Sequence, residues 1–99
     1  MDLNEIRNRI DGIDDQIVKL FVERMKLTEG VAKYKVEHSL PVFQGKREKE
    51  ILERVASMSP DNMANGSRLL FANLMDISKC YQQEQITPVI PFATEEPPK

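Results

Sequence analysis

Residues 3–38 read LNEIRNRIDGIDDQIVKLFVERMKLTEGVAKYKVEH. Leu3, Ile6, Ile10, Ile13, Ile17 and Leu20 follow one another at intervals of 3 or 4, and Leu27, Val31 and Tyr34 resume the rhythm. Such spacing marks one face of a helix that packs against other helices. The segment holds no proline, and its glycines are Gly12 and Gly30. One position breaks the seam: where another apolar residue is due stands Arg24. A guanidinium cannot shed its charge, so on a buried seam it needs an anion. A carboxylate of the protein or of a ligand would serve.

The length of this helix carries a second message. About 35 residues of α-helix extend about 50 Å. A compact domain of roughly 100 residues is only about 35 Å across. The rest of the chain cannot cover both ends of such a helix, yet its seam is apolar throughout. The expectation is an all-α fold with three helices per chain, the first of them long, assembled as an intertwined homodimer.

Asp2 or Asn4 can cap the first helix, and Glu5 suits its positive end. Pro41 ends it by forcing Leu40 out of the helical region. A second helix is expected from Gln44–Lys46 to Met58, with Glu48, Ile51, Leu52, Val55 and Met58 inward. Ser59-Pro60-Asp61 breaks it, and residues 62–67 read as a loop or frayed turn. A third helix follows from Arg68 to Gln85, with Leu70, Leu74, Ile77 and Tyr81 as its stripe, flanked by Phe71, Met75 and Ser78. The helical domain thus covers residues 1–86. Residues 87–99 hold four of the six prolines and read as a flexible tail or linker stub.

Composition narrows the function. The 99 residues are 40% hydrophobic and 30% charged, with a net charge of −2, which gives no footprint for nucleic acid or a membrane surface. No apolar run is long enough to span a bilayer, and the acidic, polar N-terminus is unlike a signal peptide. The expected location is the cytoplasm. One cysteine, Cys80, and one histidine, His38, make a protein-only metal site unexpected, and His38 reads as a helix-end residue. Met25, Met58, Met63 and Met75 read as core packing.

Four places set polar groups on or beside apolar stripes. Lys35 lies 11 residues after Arg24, close to three turns, and so points the same way. Glu48, beside Arg47, sits on the second stripe; Ser78 and Gln82 form an i, i+4 pair on the third helix. Singly, each fits a snorkelling side chain or a structural salt bridge such as Arg24 to Glu48. Together they have the composition of an anion pocket with one acceptor in it. Arg7 is about 25 Å from Arg24 along the helix and turned by roughly 100°. It reads as a surface residue of its own chain, or as a visitor to a partner's pocket.

The order Ile6-Arg7-Asn8-Arg9-Ile10-Asp11-Gly12-Ile13-Asp14, Leu20-Phe21-Val22-Glu23-Arg24-Met25, Lys35, Pro41-Val42, Arg47-Glu48, then Phe71, Ser78 and Gln82, resembles the all-helical class of chorismate mutase. The resemblance covers about residues 3–85. It implies an intertwined dimer with two equivalent pockets. Arg24, Lys35, Arg47, Glu48, Ser78 and Gln82 would come from one chain and Arg7 from its partner. Similar sequences often carry an acidic residue where this chain has Gln44, a departure that bears on affinity or substrate preference.

The implied reaction is the [3,3] rearrangement of chorismate to prephenate, which needs no nucleophile, metal or cofactor. Arg7 and Arg24 would fork onto the two carboxylates and hold the reactive conformer, with Ser78 adding a hydrogen bond. Lys35 and Gln82 would donate to the ether oxygen as its C–O bond breaks. Glu48 would accept from the ring hydroxyl. Competing readings are an isochorismate pyruvate lyase of the same fold, a ligand-sensing domain for an aromatic-pathway enzyme, and a plain helical dimerisation module.

Overall fold

The computed structural model describes residues 1–41 and 45–86, with side chains described to Gln83. Gln44 and the segment 87–99, named above as a site residue and a tail, lie outside the described residues. Three α-helices account for the architecture: α1 (Leu3–Glu37), α2 (Gly45–Ser57) and α3 (Ala64–Ile86). Helix α3 packs against both α1 and α2.

Helix α1 starts on a capping box. The Asp2 carboxylate accepts from the Glu5 backbone N–H at 2.8 Å, and the Glu5 carboxylate accepts from the Asp2 N–H at 2.9 Å. Two otherwise unpaired donors are thereby satisfied. The helix ends at Glu37, with His38 as its C-cap. The imidazole stacks on Tyr34 at 3.9 Å between ring centres, and its Nδ1 lies 2.9 Å from the Tyr34 carbonyl oxygen, so His38 is a helix-end residue. The stop is made by Ser39, in the left-handed region at φ 56°. Its N–H donates to Val36 O at 3.3 Å, and the Leu40 N–H donates to Lys35 O at 2.8 Å. These are the two bonds of a Schellman motif, which caps the last carbonyls.

The third helix begins earlier than the loop-like composition of residues 62–67 suggests. After Pro60 the chain forms a 3-10 turn over Asp61–Met63 and runs straight into α3 at Ala64. The corner is tied by polar groups. Ser59 Oγ donates to Val55 O at 2.8 Å and lies 2.6 Å from Ser67 Oγ, while Arg68 Nη1 donates to Asn65 Oδ1 at 2.7 Å. The first turn of α3 carries little apolar surface because it is largely exposed. Gly66 therefore sits in a helix here rather than in a loop.

The core lies between α2 and α3. Ile51, Val55 and Met75 are buried together, with Leu52 and Phe71 packed against them. Met58 is 73% exposed and Met63 is exposed too, so only Met25 and Met75 of the four methionines pack inside the chain. On α3 the buried line is Met75, Ser78 and Gln82, not Leu70 and Tyr81, which are exposed. On α1 the buried residues are Met25, Thr28, Ala32 and Lys35. This line is one position on from Leu27, Val31 and Tyr34, all of which face solvent in the single chain. Ala32 has no exposed surface, so α3 lies close over α1 at a residue with no side chain beyond Cβ.

Among the described residues, the front half of α1 has no cover. Leu3, Ile6, Ile10, Ile13, Ile17 and Leu20 are 41% to 63% exposed. Their helix spans the long dimension of a 53 × 41 × 23 Å molecule. The radius of gyration of 16.7 Å exceeds the roughly 13 Å of a compact chain of this length.

A Ser in the left-handed region costs about 1 kcal/mol that Gly avoids. Ser39→Gly is therefore expected to stabilise the protein by up to about 1 kcal/mol. Denaturant unfolding at fixed protein concentration measures this; a destabilised variant would contradict the role given to Ser39.

Candidate active site

The seam fault at Arg24 opens onto a cleft of about 500 Å3 between the three helices. From α1 it is lined by Arg24, Leu27, Thr28, Val31 and Lys35. From α2 come Arg47, Glu48 and Ile51, and from α3 Met75, Ser78, Lys79 and Gln82. Helix periodicity explains each set. Residues 24, 28, 31 and 35 stand one above another on α1; on α2 residue 51 lies a turn beyond 47 and 48, and on α3 residues 78 and 79 flank a strip that runs from 75 to 82. One acid, Glu48, lines the cleft among the described residues, against four cations.

Arg24 is half-buried, and its Nη1 donates to Ser78 Oγ at 2.9 Å. The same hydroxyl lies 2.9 Å from Leu74 O, to which it donates, and 3.7 Å from Met25 Sδ. A structural Arg24–Glu48 bridge is thus not what holds the arginine. Burial, then the positive charges of Arg47 and Arg54, push its pKa below the usual arginine value. Guanidinium still keeps its proton, so Arg24 stands in a field that favours an incoming anion. Thr28 Oγ1 donates to Arg24 O at 3.0 Å and is buried beside it.

Lys35 is buried, and its Nζ lies 3.1 Å from Gln82 Oε1. An ammonium is a donor only, so the amide turns its oxygen to Lys35. The Gln82 NH2 group is then left to donate elsewhere on the cleft wall. Burial lowers the Lys35 pKa from the ordinary lysine value, and the nearby Glu48 charge raises it by less.

Glu48 is bound not by an arginine but by Lys79, whose Nζ is 3.2 Å from Glu48 Oε2. Arg47 reaches the cleft with an exposed side chain and a loose 3.8 Å pair to Glu50. Arg7 is exposed on the front of α1 and does not line the cleft of its own chain. Of the sequence candidates, Arg24, Lys35, Arg47, Glu48, Ser78 and Gln82 therefore share one cleft.

The family model for chorismate mutase type II matches residues 6–83. The chain belongs to that family. It is 33% identical over 86 residues to the chorismate mutase of Methanocaldococcus jannaschii, covering 85% of this chain and 87% of that one. It is 35% identical over 60 residues to the bifunctional chorismate mutase/prephenate dehydratase of Aquifex aeolicus, covering 61% of this chain and 17% of that longer protein. The T-protein of Haemophilus influenzae is 35% identical over 51 residues, which is 52% of this chain and 14% of that one. No solved structure matches the chain.

Within this mutase fold, the sequence reading missed Thr28 and Lys79 as cleft residues. Helix phase places both. Thr28 falls between Arg24 and Lys35 on one face, and Lys79 follows Ser78 directly and sits a turn from Gln82 and from Asp76. Lys79 reads as a solvated lysine until α2 brings Glu48 against it.

Ser78 orients Arg24, so Ser78→Ala is expected to cut kcat/KM for chorismate about tenfold, the weight of one hydrogen bond to a charged group. Steady-state kinetics beside circular dichroism test it. Wild-type kcat/KM in the folded variant would show that Arg24 holds its place without the hydroxyl.

Proposed function

We propose that this cleft is where the chain carries out the family's reaction, the rearrangement of chorismate to prephenate, and that the working form is a cytoplasmic homodimer. The observation that carries this is the convergence of Arg24, Lys35 and Arg47 with Glu48, Ser78 and Gln82 on one cleft built by three helices. Chorismate is a dianion that reacts only in a compact conformer. Fixed cations bind its carboxylates and hold that conformer, so orientation supplies much of the rate. Arg24 forks onto one carboxylate, and Arg47 at the mouth adds charge.

The Lys35–Gln82 pair supplies the step that binding alone does not. As the C–O bond breaks ahead of C–C bond formation, negative charge gathers on the ether oxygen. The Lys35 ammonium and the Gln82 NH2 group donate to it, and their bond to each other holds both in place. Interactions that strengthen with this charge accelerate the reaction. Glu48 accepts from the ring hydroxyl. Gln44 is a further candidate for that end of the substrate.

The second carboxylate falls to Arg7 of a second copy. The exposed apolar seam from Leu3 to Leu20 supports the dimer, because six large apolar side chains in one line need a partner surface. An antiparallel pairing of two such helices brings each front half over the other chain's cleft. Chorismate incubated with the protein and then acidified should yield phenylpyruvate; none above background would sink the reading. Mixing the inactive variants Arg7→Ala and Lys35→Ala should restore about a quarter of wild-type activity, since each mixed dimer has one intact pocket. Failure to recover, with mixed dimers demonstrated, would put Arg7 outside the partner's site.

The pH dependence follows from Lys35. Activity needs its proton, and burial holds its pKa below the ordinary lysine value. The kcat/KM profile should therefore be flat through neutrality and fall as pH rises through that lowered pKa. Bound dianion favours the ammonium, so the alkaline limb of kcat should lie at higher pH. Gln82 does not titrate, and activity climbing steeply below pH 6 would contradict its assignment.

A further inference from the structure

Glu48 is the one acid on the cleft wall among the described residues, and it stands among cations that chorismate needs. Lys35 and Arg24 face it from α1 and Arg47 adjoins it on α2. An acid so placed is a competitor of the substrate: turned toward Lys35, it would neutralise the donor meant for the ether oxygen. In the structure it makes an ion pair with Lys79 on α3, while its charge still reaches Lys35. Glu48 Oε2 meets Lys79 Nζ at 3.2 Å, and the same ammonium is 3.4 Å from Asp76 Oδ1 one turn back on α3. The Glu48 and Lys79 side chains are largely shielded, 25% and 31% exposed, whereas Asp76 is 71% exposed. Burial works against the Lys79 charge, but the hydrogen bonds and charges of Glu48 and Asp76 outweigh it and hold its pKa above the ordinary lysine value.

We propose that Lys79 is a positioning residue for the mutase reaction: anchored by Asp76, it draws the Glu48 carboxylate away from Lys35 and leaves Oε1 to receive the substrate's ring hydroxyl. The inference rests on the reading of Glu48 as the hydroxyl's acceptor. Lys79 does not touch the reacting atoms. Its action is to keep one carboxylate in the role of acceptor rather than of internal anion. A carboxylate has two oxygens, and pairing one of them fixes the direction of the other.

The test is a double-mutant cycle on the intact protein with chorismate as substrate. Lys79→Met should raise KM and lower kcat/KM about tenfold, the weight of one misplaced charged hydrogen bond. Lys79→Arg, which keeps the cation, should recover most of the loss. In a Glu48→Gln background the Lys79→Met change should add little, because the group it positions is already gone. A lysine that merely ties α2 to α3 would lower the thermal midpoint and leave the KM of the folded variant unmoved, which overturns the proposal. Losses that add independently in the double variant would mean that Lys79 acts on the substrate itself, and also overturn it. If Glu48→Gln alone has wild-type kinetics, the reading of Glu48 fails and the inference falls with it. If Glu48→Gln is impaired while Lys79→Met is normal, only the inference falls.

Discussion

A helix of 35 residues is longer than the other described helices cover, and much else follows from that mismatch. Helix α3 packs on the back half of α1, where Met25, Thr28, Ala32 and Lys35 are buried. The front half keeps a continuous line of Leu and Ile in solvent. Burial of a large aliphatic side chain contributes about 1.5–3 kcal/mol, so six such residues without cover represent a strong drive to associate. The core of the single chain is small by comparison. Ile51, Val55 and Met75 form its buried centre. In the proposed dimer the excess length of α1 serves as interface and carries Arg7 to a second cleft.

The cleft works against the stability of the fold. Arg24 and Lys35 are both partly stripped of water, and burial pushes the pKa of each below its ordinary value. A protein selected for stability alone would set apolar residues at these places. What makes the arrangement tolerable is neutral hydrogen bonding: Ser78 accepts from Arg24, and Gln82 accepts from Lys35. These two bonds engage the donors without cancelling the charges. The positive potential therefore remains for a dianion, and Glu48, the one acid lining the cleft among the described residues, is engaged by a fourth cation, Lys79.

Much of the fold was legible in the sequence because helices built of 3–4 repeats announce their faces. All three helices expected from periodicity are present, and the start of α2 at Gly45 agrees with its expected start near residues 44–46, whereas α3 begins at Ala64 rather than Arg68. The capping box at Asp2 and Glu5 was legible to within a choice of cap. Residues 62–67 were misread because composition reports exposure, not conformation: a helical turn with no core face looks like a loop. Met58 was misread for the related reason that it follows the stripe of α2 just past the end of the helix, where no neighbour covers it. The candidate site residues Arg24, Lys35, Glu48, Ser78 and Gln82 stood out because each is polar where an apolar residue would pack.

By itself the sequence determined the helices, the unusual length of the first, the set of polar residues on inner faces and the family. These are properties of residue order along single helices, where a repeat of 3.6 translates directly into direction. Only the tertiary structure decided which line of α1 meets α3, one residue on from the apolar seam, so that the seam itself is left outside. It also decided the pairings: Arg24 with Ser78, Lys35 with Gln82, Glu48 with Lys79. The physical reason is that Arg24 and Ser78 are 54 residues apart, and Lys35 and Gln82 are 47 apart. Their meeting depends on how two helices cross, and neither helix encodes that alone.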